Sequence, residues 1–216
     1  MANCIELIVL ATTKVRDNSI VVHTLSRAYG RCGFLVRVSK KVPMALFLPL
    51  NILEADVVEN PKSQLRSLRG ISARDPLNGI RGNLFKSSIT QFISEVLYRS
   101  VRDGLAEEGL YDWCISCILT LDALDNDFAN FSVWFLLDYA SVLGFRPCFE
   151  DIAPFAADNL RAMKPFLTAS FSEAMLLPLD GNTRNALCES VLRYLEHHTE
   201  SAIPVRSLAV LRDLYR

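Results

Sequence analysis

The chain has 216 residues, half of them hydrophobic, with a formal net charge of −1, six cysteines and three histidines. This length suffices for one large domain or two small ones with real cores, and the apolar content argues against disorder. No apolar run approaches the roughly 18 residues of a membrane span, so no membrane partner is expected. The first residues, MANCIELIVLATTKVRD, place Glu6 inside the apolar run with no basic leader, a poor signal peptide and a good first strand. The cysteines then suggest reduced thiols in a cytoplasmic protein. The small net charge hides a split: residues 1–80 carry 11 Lys+Arg against 6 Asp+Glu, whereas residues 81–216 carry 12 against 18. A basic first half suits a polyanion and an acidic second half repels one.

Residues 4–13 are an apolar strand candidate. Ser19 to Thr24 and Arg31 to Val38 follow, rich in β-branched and aromatic residues and joined by a turn ending at Gly30. In the second of these, Cys32, Phe34, Val36 and Val38 alternate with Arg31, Gly33, Leu35 and Arg37. A period of two predicts Phe34 and Val36 inside and Arg31 and Arg37 facing solvent. Leu46 to Val58 is a fourth strand candidate with Pro49 near its start. Gln64 to Asp75 is a fifth, bent at Gly70. Five short strands with a basic face predict an OB-fold barrel.

The period changes at Phe85. Apolar residues at Phe85, Ile89, Phe92, Ile93, Val96, Leu97 and Val101 predict an amphipathic helix. Further helices are expected over Leu110 to Leu124, over Phe128 to Leu143 (apolar almost all round, hence central), over Asn182 to His198 with Asn182 or Thr183 as cap, and over Ser207 to Tyr215. Residues 146–182 are less regular. The class expected is α+β, β then α: an OB-fold domain over residues 1–78 and an all-helical domain over 82–216, divided by the turn-rich DPLNGIRG.

Catalytic chemistry finds little support. Cys114 and Cys117 have a metal or redox spacing, but no second pair follows and they sit inside an apolar helix, so two small buried hydrophobes are expected. A thiol oxidoreductase is the weakest reading. His197 and His198 project about 100° apart on a helix and cannot easily share one ion. Gly79 to Ser87 lacks the Gly-Lys-Ser/Thr step of a phosphate loop. Asp122, Asp125 and Asp127 read as solvating a helix connection and capping the next helix. No catalytic residue, no metal and no cofactor are expected.

The basic set is the more specific signal. Arg27, Arg31, Arg37, Lys40 and Lys41 lie in or beside one hairpin, and Arg66, Arg69 and Arg74 lie on the last strand. Tyr29 is available at the turn for base stacking. These nine residues are the expected DNA-binding set. Lys86, Arg99 and Arg102 on the first long helix are a fallback.

The sequence also resembles a known family. Thr24-Leu-Ser-Arg-Ala-Tyr-Gly30-Arg31, Val36-Arg37, Leu46-Phe-Leu-Pro-Leu50 and Leu53-Glu54 carry the likeness in the first half. Phe92-Ile-Ser-Glu95-Val-Leu97, Leu121-Asp122, Asn130-Phe131, Phe135-Leu136-Leu137, Leu143-Gly-Phe-Arg-Pro147 and Arg206-Ser-Leu-Ala-Val-Leu211 carry it in the second. In order and spacing these resemble the bacterial recombination mediator RecO family. The resemblance implies an OB-fold followed by a helical domain, and a nucleoid-associated protein of recombinational repair without enzymatic activity. It implies binding to single- and double-stranded DNA, strand annealing, contact with the acidic C-terminal tail of single-stranded DNA-binding protein, and work with RecR that lets RecA load. Some members carry a four-cysteine zinc motif after the Leu-Gly-Phe helix; here Cys148 has no second cysteine nearby, and the chain is short between Phe149 and Asn182. The rival from another class is an adaptor whose OB-fold and helices bind proteins only.

Overall fold

The computed structural model describes residues 3–59 and 65–214. By its contacts the chain forms two compact units: Met1–Asn78 with Val101–Leu119, and Gly79–Ser100 with Thr120–Arg216.

In the first unit, β1 (Asn3–Arg16), β2 (Ser19–Ser26), β3 (Gly30–Arg37), β4 (Ile52–Val58) and β5 (Arg66–Ala73) close into a barrel in the order β1-β2-β3-β5-β4. This is the expected five-stranded OB-type barrel, followed by helices. Closure depends on β1, which is long enough to serve two neighbours. Its first half pairs with β4, from Asn3 opposite Val57 to Ile8 opposite Ile52, and its second half with β2. The pairing shifts between Val9 and Ala11, where Val9 instead exchanges backbone hydrogen bonds with Leu50 and Asn51. An irregularity of this kind bends a strand, which is what passing from one sheet face to the next requires. The period of two places Ile20, Val22, Phe34 and Val36 inside with Leu7, Val9, Leu53, Ala55 and Leu68.

The fourth strand starts later than its sequence suggests. Residues Met44–Phe47 form a 3-10 turn, Leu50 takes φ 59, and β4 begins only at Ile52. The Asn51 side chain donates to the Ala45 and Leu46 carbonyls at 3.0 and 2.9 Å. Acceptors that a ladder would have used are thereby satisfied locally, and Phe47 joins the barrel core. Gly70 bends β5 as expected: it has φ 61, and the register shifts between Glu54 and Asp56 opposite it. The fifth strand was expected from Gln64, which lies outside the described residues.

A single cut between residues 78 and 82 does not describe the division, because residues 101–119 belong with the barrel. The reason lies at Gly30, which has φ 59. A Cβ there would stand 1.9 Å from the Leu105 carbonyl oxygen, so only glycine admits the segment. The Gly104 amide donates to the Arg31 carbonyl at 2.8 Å.

In the second unit a short turn, α1 (Asn78–Arg81), precedes α2 (Leu84–Ser100); α3 (Leu110–Ala123) begins in the first unit and ends in the second. Then come α4 (Phe131–Val142), α5 (Phe149–Ala156), α6 (Leu160–Phe166), α7 (Phe171–Leu176), α8 (Gly181–Thr199) and α9 (Ser207–Leu214). Helix α4 is buried nearly all round, with Phe131, Val133, Phe135, Leu136, Tyr139 and Ala140 fully enclosed. It packs on α2, α7 and α8. The less regular stretch resolves into α5, α6 and α7, the first two each interrupted by a proline, Pro154 and Pro165. Helix α8 is capped by Asp180, which accepts from the Thr183 amide at 2.8 Å, rather than by Asn182 or Thr183. The expected end of the last helix, Tyr215, lies outside the described residues.

Helix α9 has its first turn held from a distance. Glu95 on α2 accepts from the amides of Arg206 and Ser207 at 3.1 and 2.9 Å and from the Ser207 hydroxyl at 2.6 Å. Burial opposes the Glu95 charge, but these bonds outweigh it and hold its carboxyl below the usual range. A depressed carboxylate contributes stability that is present above the unfolded pKa, about 4.3, and is lost as pH falls through the folded value. Glu95→Gln is therefore expected to cost about 1–2 kcal/mol at pH 7 and to flatten the acid limb of stability below about pH 4.3. Denaturant unfolding at several pH values checks both.

Candidate nucleic-acid interface

The barrel separates the predicted basic residues into those held by the protein and those left to solvent. Strand register decides which is which. Arg31 and Arg37 lie on the same face of β3 but at opposite ends, about 20 Å apart over six residues. They do not converge on one point.

At the turn end the arginines are engaged. Arg31 does not face solvent as the alternation predicts. Its side chain is 20% exposed, Nη2 lies 3.7 Å from Asp103, and Nε donates to the Val101 carbonyl at 2.8 Å. Arg27 pairs with Asp112 and lies over the Tyr111 ring at 5.2 Å. Tyr29 is half-buried, edge-on to Phe34 at 6.3 Å, with the Arg66 guanidinium 4.8 Å from its ring centroid. It is part of the barrel packing rather than a free stacking platform. Arg74 is also occupied, donating to Asp75 at 2.6 Å and to Glu6 at 3.1 Å. Those bonds, with Asp75 foremost, push its pKa up.

At the far end of β3 the cations are open. Arg37, Lys40 and Lys41 are exposed. The two lysines ride on a tight turn closed by reciprocal Ser39 and Val42 backbone bonds, both 3.1 Å. Register adds a residue that reading by segments missed. Arg16 pairs with Ser19, and Ser19 pairs with Arg37. Directly opposed residues point to the same side of a sheet, so Arg16 and Arg37 flank Ser19, roughly 10 Å apart across three strands. Arg16 ends a strand whose partner register cannot be known from its own sequence; it carried no local signal. Among the described residues none of Arg16, Arg37, Lys40 and Lys41 has an ion-pair partner. On β5, Arg69 is exposed and unpaired in the same sense, while Arg66 lies 3.7 Å from Glu59. An exposed pair of that kind is worth about 0–1 kcal/mol and opens readily.

The other candidates settle into structural places. Lys86 is buried and donates to the Asp122 carbonyl at 3.0 Å, which removes it from the fallback set; Arg99 and Arg102 are exposed. Asp122 accepts from the Ile80 amide at 2.8 Å and so caps α1, not the helix that follows; α4 has Asn130 at its N-cap, with no side-chain cap bond. Cys114 and Cys117 are buried, and enclosure pushes the Cys114 thiol well above its ordinary pKa, the wrong direction for a nucleophile. Among the described residues no three His, Cys, Asp or Glu side chains gather as a metal site, and no helix is long and apolar enough to cross a membrane.

The barrel and helices have relatives. A family model described as Recombination protein O C terminal matches residues 81–153. A protein of Bacteroides fragilis named DNA repair protein RecO is 30% identical over 234 residues, covering 96% of this chain and 97% of that one. Proteins of the same name from Phocaeicola vulgatus and Flavobacterium psychrophilum are 28% and 25% identical, each over 97% of this chain and over 89% and 98% of their own length. A likeness at 30% identity that runs through 96% of the chain takes in the barrel as well as the helical stretch matched by the family model, and on that ground the chain belongs to the RecO family.

Proposed function

We propose that this protein acts in recombinational DNA repair by holding nucleic-acid backbone on the open end of its barrel. The observation that carries this reading is the row of Arg16, Arg37, Lys40 and Lys41, exposed and without acidic partners among the described residues. Phosphates are the natural counterions of such a row, and contacts to phosphates are blind to sequence. Arg69 and Arg66 extend the charge along β5. A protein that binds two mutually repelling strands in this way anneals them by neutralising their charge, without a catalytic group. On this reading it binds single- and double-stranded DNA, works with RecR and with the acidic tail of single-stranded DNA-binding protein, and helps RecA load. The division of labour follows the two units: the barrel unit holds DNA, and the helical unit holds proteins. The opposite charge of the two halves, basic before residue 80 and acidic after it, supports that assignment.

Titration against labelled oligonucleotides of unrelated sequence at several salt concentrations tests it. Log affinity should fall with log salt at a slope of roughly −2 to −4 on single strands, the value for three to five phosphate contacts. Sequence should not matter. A salt-independent affinity, or none at all, would leave the protein-only adaptor as the better account.

A further inference from the structure

The turn end of β2 and β3 is covered by an acidic segment. Residues 103–112, DGLAEEGLYD, carry Asp103, Glu107, Glu108 and Asp112 and no lysine or arginine. The segment is anchored to the barrel through its backbone. Gly104 donates to the Arg31 carbonyl, Arg31 and Asp103 form a parallel bridge, and Leu105 fills the space left by the missing side chain of Gly30. Its carboxylates are placed differently: Asp103 lies 3.7 Å from Arg31 and Asp112 pairs with Arg27, while both acids stay largely exposed, at 72% and 56% of their side-chain surface. An oxyanion therefore already occupies each arginine at this end, at a site water and salt can reach.

We propose that this segment is a phosphate-mimicking strap. Asp103 and Asp112 hold the positions that DNA phosphates would take on Arg31 and Arg27, so the barrel has an always-open station at Arg16, Arg37, Lys40 and Lys41 and a second, gated station at Arg27 and Arg31. The proposal rests on the barrel-end reading of DNA binding given above. The Arg27–Asp112 pair is exposed on both sides and exchanges readily, and at Arg31, itself 20% exposed, the acid is the exposed member, so a polyanion already bound at the open station competes for both arginines at high effective concentration. The backbone anchors need not move, because the acids are displaced by side-chain rotation alone. The strap thus restrains weak, short contacts and yields to a backbone long enough to span both ends of β3.

The test compares two charge-matched variants, D103N/D112N and E107Q/E108Q, for binding to a labelled single-stranded oligonucleotide at several salt concentrations, beside the R37A/K40A/K41A variant. Each phosphate contact is worth about fivefold in affinity at about 0.1 M salt. D103N/D112N should bind roughly 5- to 25-fold more tightly, with a slope steeper by about 0.7–1.4. E107Q/E108Q, which removes the same charge but no pair to an arginine, should change affinity less than about twofold. Adding R27A to D103N/D112N should erase the share of the gain that comes from freeing Arg27 of Asp112. An equal rise in both charge-matched variants would overturn the strap in favour of a general charge effect. No rise in D103N/D112N, while R37A/K40A/K41A loses binding, would overturn the strap and leave the open station standing. No change in any variant would overturn both. Asparagine is isosteric with aspartate and the sites are exposed, so thermal unfolding curves should superimpose on the parent.

Discussion

Replacing Arg37, Lys40 and Lys41 together by alanine is expected to lower affinity for single-stranded DNA roughly 100-fold at about 0.1 M salt and to make the salt slope shallower by about 2.1. The argument is one of exposure and lack of competition. These side chains have no acidic partner among the described residues, so their whole electrostatic potential is available to a ligand. Each contact releases a condensed counterion, and the loss should be the same on every sequence. Annealing should fall with it. Removing exposed charges touches no core contact, so the melting temperature should hold within about 2 °C. Arg31→Ala makes the informative contrast. That change removes a hydrogen bond to the carbonyl of the buried Val101, a cost of about 1–3 kcal/mol in stability. A protein whose affinity survives the triple change with the same slope does not bind DNA at this end of the barrel.

Asn130→Ala is expected to destabilise the helical unit by about 3–4 kcal/mol. Asn130 is 2% exposed. Its amide nitrogen lies 3.0 Å from the Ala174 carbonyl, 2.8 Å from that of Leu177 and 3.4 Å from that of Met175. Its oxygen accepts from Arg184 Nε at 3.0 Å. One side chain thus closes the end of α7 and ties it to the first turn of α8. The alanine leaves buried acceptors at the end of α7 and takes away the acceptor on a part-buried guanidinium, and each such loss costs about 1–3 kcal/mol. Asn130→Asp should recover only part of this, because a carboxylate suits Arg184 but repels the three carbonyls. Guanidinium unfolding followed by helical circular dichroism measures both. A loss below about 1 kcal/mol for the alanine would mean that water replaces the amide.

How much of this was legible beforehand follows from which interactions are local. The alternation along Arg31 to Val38 identified Phe34 and Val36 as barrel core because a strand's inward face is a property of its own residues. The apolar surround of Phe128 to Leu143 identified the central helix, observed over Phe131–Val142, for the same reason. The buried Cys114 and Cys117 were readable from the apolar helix around them, and the RecO resemblance from spaced fragments along the whole chain. Facing direction, however, says only which way a side chain leaves the strand, not what meets it there. Arg31 alternates outward as predicted, yet a segment seventy residues later in sequence covers it. Composition places Arg74 among the cations for a ligand, but β1 brings Glu6 against it. Arg16 carried no signal until β2 placed Ser19 between it and Arg37.

What the amino-acid sequence determined by itself was therefore the order of barrel before helices, the inward face of β3, the central place of α4, the basic and acidic halves, and the family. What only the tertiary structure decided was which charges remain free. Periodicity and composition are short-range properties, fixed by neighbours within a few residues. Charge neutralisation depends on partners that chain folding brings together over 72 to 85 positions, as at Arg31 with Asp103 and Arg27 with Asp112, and a carboxylate that distant leaves no mark on the residues around the arginine.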